Sequence, residues 1–386
     1  MKKKKITLLV SNVSTNAFGR ANLLAEMLEP EFDIEFAGFH QGGLWPPCYG
    51  IKWPVRSLQM PLGSVFSKNY RKSITALAKL VSGDLVIACK AWPWIIDTVK
   101  ILQKKYDKPC IYDIDDWELA WSFPLSVKKI LREIIFKKFN PHGLLMAAVS
   151  ELRIRFSDTP VIVSNTFLQD RFNGMIIPHA CNTEFLDPAR VLSKDECRVK
   201  YFLKKNAFYL AFVGTPRGHK GLDMILDFLH KHSTPDLRLL IAGIQDQEIK
   251  SSFYDKCRSK IDFITTFSRK NLPEIIKAID VSLILQKDLA CCKGQLPAKL
   301  FDAMAMEKPV IASAVSDIPE ILDGCGITIT PDNMQEFEKA VKKIRDNKEN
   351  AFQMGKKGRI KCIQKYSQKV VSERLKKYVN QILFKK

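Results

Sequence analysis

Arg217, His219 and Lys220 crowd into four consecutive positions of "YLAFVGTPRGHKGLD", residues 209–223, where an apolar run gives way to a stretch of helical period. Such a turn is suited to holding an anion. Gly214 and Gly218 permit tight backbone geometry, a helix starting near Lys220 adds its N-terminal amides, and Arg217 and Lys220 add full charges. The spacing is not that of a P-loop, because Gly214 is followed by "TPRGHKG" rather than by four residues and Gly-Lys-Ser/Thr. On this stretch alone, a phosphate cradle and an exposed basic loop of a Lys-rich chain are equally good readings.

Carboxylates form the second candidate. "YDIDDW" places Asp113, Asp115 and Asp116 at the end of an apolar run. The D-x-D of Asp113 and Asp115 is a pattern that binds Mg²⁺ or Mn²⁺ in other proteins. The ten cysteines form no C-x-x-C pair and no Cys/His spacing of the zinc type. They read as reduced core thiols of a cytoplasmic protein.

These residues need elements to position them. In the first half, "ITLLVS", "DLVIACK" and "KPCIYDID" alternate with segments of helical period such as "AFGRANLLAEML". From residue 206 the alternation restarts with "AFYLAFVG", "LRLLIAG", "DVSLILQ" and "KPVIAS". Continuous apolar strands separated by helices imply parallel sheets covered on both faces. Between the halves, Ser193 and Glu196 are spaced as a capping box, and Asp332 is the expected N-cap of a late helix. With 386 residues, two domains are expected.

The net charge of +20 fits an anionic membrane surface, nucleic acid or anionic substrates. Basic residues are spread along the chain and no helix-turn-helix, zinc-finger or RRM motif occurs, which argues against nucleic acid. The Lys2–Lys5 run is followed by an apolar stretch too short for a signal peptide.

"GQLPAKLFDAMAMEKPVIASAVSDIPEIL", residues 294–322, together with "FVGTPRGHKG", resembles the C-terminal domain of retaining GT-B glycosyltransferases of family 4, the glycosyl transferases group 1. "YDIDDW" and "SNTFLQDRFNGMIIPHACNTEFLDP" look like the segments that precede the interdomain linker in that family. The resemblance implies an α/β GT-B fold, with two doubly wound Rossmann-like domains facing each other across a cleft. Residues 1–190 would bind the acceptor, 191–365 the nucleotide sugar, and 366–386 would form a helix packing back on the first domain.

It also implies roles. Arg217 and Lys220 match the basic pair that grips the donor's diphosphate, and Lys299 falls among the residues expected to bind the nucleotide sugar. Asp302 matches the acid that holds the ribose hydroxyls, pointing away from an apolar stripe of Leu296, Leu300 and Met304. The family's other acid would stand eight positions earlier, where this chain has Gly294, with Lys293 and Gln295 as possible substitutes. Phe267 and Ser268 fall where the backbone meets the base, Gly214 and Gly19 where it meets the diphosphate, and Arg20 stands beside the latter. Asp115 and Asp116 occupy the position of a His-Asp near the acceptor, where either could orient or deprotonate a hydroxyl. A strand-end Asp can also simply cap the next helix.

The expected activity is sugar transfer from a UDP- or GDP-type donor, with no metal and no further cofactor. The expected acceptor is a glycan or lipid-linked saccharide in bacterial surface polysaccharide or lipopolysaccharide synthesis. The location would be cytoplasmic, at an anionic membrane. Two rivals are a metal-dependent, single-domain type of glycosyltransferase using Asp113 and Asp115, and a non-enzymatic nucleic-acid-binding protein. All six tryptophans lie between Trp45 and Trp121, where they could stack on a sugar or lipid or fill a core.

Overall fold

Apolar runs such as Ile6–Val10 have no polar alternation, so as strands they must be covered on both faces. The computed structural model places them so. It describes residues 3–384 apart from 49, 62, 124–125, 137–138, 233, 245–253 and 266. The chain divides into two units: residues 1–179, 293–296 and 371–386, and residues 180–292 and 297–370.

In the first unit, the strands are β1 (Lys5–Val10), β2 (Asp33–His40), β3 (Val55–Gln59), β4 (Leu85–Cys89), β5 (Cys110–Ile114), β6 (Val161–Val163) and β7 (Met175–Ile176). They pair in the order β3-β2-β1-β4-β5-β6-β7, all parallel. The order reverses between β1 and β4, the topological switch point at which doubly wound sheets open a ligand crevice. Helices Lys68–Leu80 and Pro93–Tyr106 cover one face around Trp94, Tyr70 and Leu102. The last helix, Gln368–Leu383, is fixed on this unit by Ser372 Oγ donating to the Met27 carbonyl at 2.6 Å and Asn380 Nδ2 to Glu31 at 2.6 Å.

In the second unit, the strands are β8 (Phe208–Val213), β9 (Leu237–Ala242), β10 (Ile261–Ile264), β11 (Val281–Ile284), β12 (Val310–Ser313) and β13 (Ile327–Ile329). Their order is β10-β9-β8-β11-β12-β13, again parallel, with the switch point between β8 and β11. Ser193 and Glu196 form the expected capping box at the start of helix Lys194–Lys200. Asp332 is not a cap. It lies in the left-handed region, φ 58°, and Asn333 caps helix Met334–Asp346 instead by accepting from the Glu336 amide at 3.1 Å. An N-cap residue needs extended backbone, which Asp332 has given up to the turn.

Candidate active site

In the second unit, β8 runs straight into the basic turn. Gly214 at its end has φ 111°, a conformation that requires glycine. A Cβ there would fall 1.4 Å from Lys299 Nζ, so the glycine also clears the path of that side chain. Arg217 to Lys220 form a turn closed by the Lys220 amide donating to the Arg217 carbonyl at 2.8 Å, and Lys220 Nζ folds back on the Thr215 carbonyl at 2.9 Å. Gly221, φ 61°, starts helix Leu222–Lys231 and lies against Leu285 just past β11. The turn therefore sits over the switch point of this sheet.

Lys299 comes from helix Ala298–Ala305. Burial, then repulsion from Lys220, pulls its ammonium down to about 7, with Arg217 adding to the repulsion and Asp302 opposing it. Three basic side chains thus gather at the end of β8, close enough for Lys220 and Arg217 to lower the Lys299 ammonium. On the same helix, burial pushes the half-buried Asp302 up to about 6 against the attraction of Lys299 and Arg269. Leu300 and Met304 are buried as expected, but Leu296 precedes the helix and so does not extend its stripe. Phe267 lies at the carboxyl ends of β9 and β10, where its ring comes within 3.6 Å of the position a Gly243 Cβ would take. The Ser268 amide donates to Asn271 Oδ1 at 3.2 Å, and its hydroxyl donates there at 2.9 Å. The Ser268 amide is thus engaged in a local cap.

In the first unit, Arg20 departs from its expected role. Its guanidinium is buried, holds Asp113 Oδ1 at 3.0 Å and donates to the Ile177 and Pro178 carbonyls at 2.7 and 3.2 Å. With its donors engaged inside the unit, it is a structural ion pair and not a ligand contact. Gly19 lies in the first turn of helix Ala17–Leu28, and a Cβ on it would meet the Trp45 ring at 2.9 Å. Its glycine makes room for a tryptophan.

Asp115 and Asp116 follow β5 and meet Lys90, a residue that sequence reasoning passed over. Lys90 follows β4 in a left-handed conformation, φ 60°, and its buried ammonium touches Asp116, Glu118 at 3.0 Å and Asp115 at 3.4 Å. Burial opposes ionisation of Asp116, but Lys90, with a further hydrogen bond from Gln295 Nε2 at 3.1 Å, holds it below the usual carboxylate range. Burial pushes Asp115 up to about 7, Lys90 opposing and Asp116 adding. Burial, then Arg20, brings the nearby His179 down to about 3, so the imidazole is neutral. One ionised and one protonatable carboxylate stand side by side, bordering a pocket also lined by Trp117 and Glu118. The signal in the sequence was Lys90 itself, a lone cation ending the apolar run "DLVIAC".

Gly294 has a local cause. A Cβ there would lie 2.5 Å from the Trp117 Cβ and 3.0 Å from its amide nitrogen, so no side chain fits. The adjacent Gln295 reaches Asp116. Of the tryptophans, Trp94 is core, its indole donating to the Ser11 carbonyl at 3.0 Å. Trp117 donates to Glu151 at 2.8 Å beneath the Arg171 guanidinium.

Two parallel doubly wound units in one chain define the GT-B fold. Similar solved structures include sucrose-phosphate synthase from Thermosynechococcus elongatus, 14% identical over 100% of both chains with a TM-score of 0.71. Anabaena Alr3699/HepE, solved with UDP-glucose, is 14% identical over 98% of this chain and 100% of that one, TM-score 0.76. WaaG, a glycosyltransferase involved in lipopolysaccharide biosynthesis, is 14% identical over 98% and 99%, TM-score 0.67. Residues 193–361 match the model of the family described as Glycosyl transferases group 1, and that span contains both the basic turn and the 294–322 string. No curated protein matches the chain.

Proposed function

We propose that this protein transfers a sugar from a nucleotide-diphosphate donor to a hydroxyl of a glycan or lipid-linked saccharide, with retention and without a divalent metal. The observation that carries the reading is the cluster of Arg217, Lys220 and Lys299 around Gly214, in which burial and mutual repulsion bring Lys299 down to about 7. In the transfer, the bond from the sugar C1 to the diphosphate oxygen breaks and its electron pair leaves with the diphosphate. The charge that develops there is what Arg217, Lys220 and Lys299 neutralise, the task an ion performs in metal-dependent enzymes. A new bond forms from C1 to the acceptor oxygen, whose proton passes to a carboxylate. Asp116, held ionised by Lys90, is the base in this reading. Asp302 accepts from the ribose hydroxyls.

A donor of UDP type is supported by the fold likeness to HepE, whose structure holds UDP-glucose. A surface-glycan acceptor at an anionic membrane is supported by the likeness to WaaG and by the net charge of +20. Thermal melting with UDP, GDP, ADP and their sugars tests the donor half. A ligand present at 100 times its Kd should stabilise by roughly 2.7 kcal/mol. No response to any of these would refute the reading.

A further inference from the structure

Large apolar side chains exposed to water gather on one short stretch of the first unit. Helix Val127–Phe136 leaves Leu131, Ile135 and Phe136 at 54%, 66% and 78% exposure. Leu131 and Ile135 are one turn apart, and Lys128 and Arg132, also exposed, share their side of the helix. Past the helix end, Phe139 and Phe66 extend the patch, both exposed and packed edge to face at 4.8 Å. The Val65 amide donates to the Phe139 carbonyl at 3.0 Å, which ties this end of the patch to the body of the unit.

We infer that this face is a docking surface for an anionic lipid bilayer, with Leu131, Ile135, Phe136, Phe139 and Phe66 entering the headgroup boundary and Lys128 and Arg132 pairing with lipid phosphates. The mixture decides the occupant. Apolar cores of protein interfaces exclude lysine, whereas an interfacial helix carries Lys and Arg beside its inserted Leu and Phe, their stems lying along the apolar surface while their charges stay at the headgroups. The helix is ten residues long, and no described helix is long and apolar enough to cross a membrane, so this one lies on the surface. The Lys2–Lys5 run at the start of the chain offers charge alone, and its Lys2 lies outside the described residues. The structure adds an apolar component that such a run lacks. The inference rests on the membrane part of the proposed function and is independent of sugar transfer.

Flotation of the full chain with phosphatidylcholine vesicles, with and without phosphatidylglycerol, tests it. The wild type should float with the anionic vesicles and keep part of its binding at high salt, where charges alone are screened. The variant Leu131→Ser/Ile135→Ser/Phe136→Ser, with its melting temperature and nucleotide response checked against the wild type, should bind at least about tenfold more weakly, since each apolar group lost weakens insertion. Lys3→Ser/Lys4→Ser/Lys5→Ser should keep its salt-resistant binding. If the serine variant on the helix floats like the wild type, this face is not the docking surface, although the membrane reading stands. If the wild type floats with neither vesicle, both fall. A wild-type dimer that becomes monomeric in the helix variant, with no vesicle binding, would give the face to a second copy and overturn the inference.

Discussion

Arg20 closes on Asp113 with Nε at 3.2 Å and a terminal nitrogen at 3.0 Å from Oδ1, and the two side chains are 1% and 0% exposed. The pair joins helix Ala17–Leu28 to the end of β5 and, through the Ile177 and Pro178 carbonyls, to the chain beyond β7. It also engages Asp113, the first acid of the D-x-D pattern, in a buried ion pair inside the unit.

Asp113→Ala should therefore act on stability. Leaving the Arg20 charge buried and unpaired should cost about 3–5 kcal/mol, read from urea unfolding. Mg²⁺ and Mn²⁺ should leave the wild-type melting temperature unchanged. A metal-dependent rise that disappears in Asp113→Ala would favour the rival in which Asp113 and Asp115 bind the ion.

Gly294→Ala should destabilise the first unit by about 1–3 kcal/mol, the usual cost of forcing atoms into a filled space, because Trp117 already occupies the position of a Cβ. Gly294→Glu, which restores the acid of the family pattern, should be worse. An active, fully stable Gly294→Glu would show that Trp117 yields and that the local packing argument fails.

Lys299 makes ligand binding depend on pH. Its folded value of about 7 is depressed from the ordinary 10.5, so its contribution to stability is present above 10.5 and declines as pH falls towards 7. A diphosphate beside it favours the charged form and draws a proton back. Calorimetry of UDP or GDP binding at pH 8, in buffers of different ionisation heat, should report net uptake approaching one proton per site, and affinity should fall as pH rises above 7. Lys299→Met should abolish the uptake. Unchanged uptake in that variant would remove Lys299 from the anion site.

The two parallel sheets were legible because doubly covered strands are continuous apolar runs, and "ITLLV" and "FYLAFV" show that at sight. Short, contiguous strings carry Arg217, Lys220 and Asp302, and the fold brings them within electrostatic reach of Lys299. Arg20 was misread because its partner is 93 positions away, and sequence adjacency to Gly19 says nothing of burial. Lys90 was missed for a related reason: its meaning comes from Asp116 and Glu118, which reach it only when β4 and β5 pair. Asp332 lost its cap to Asn333 through a one-residue choice of backbone region, which composition does not encode.

The central claim is that fixed cations at the basic turn neutralise the departing diphosphate. It is tested most directly by donor turnover in EDTA with the wild type, Arg217→Ala and Lys220→Ala, using whichever nucleotide sugar stabilises the fold. Transfer or slow donor hydrolysis should persist in EDTA for the wild type and fall at least about 100-fold in each variant, the scale of losing one preorganised electrostatic contact. Activity that vanishes in EDTA, or that survives in both variants, would contradict the account.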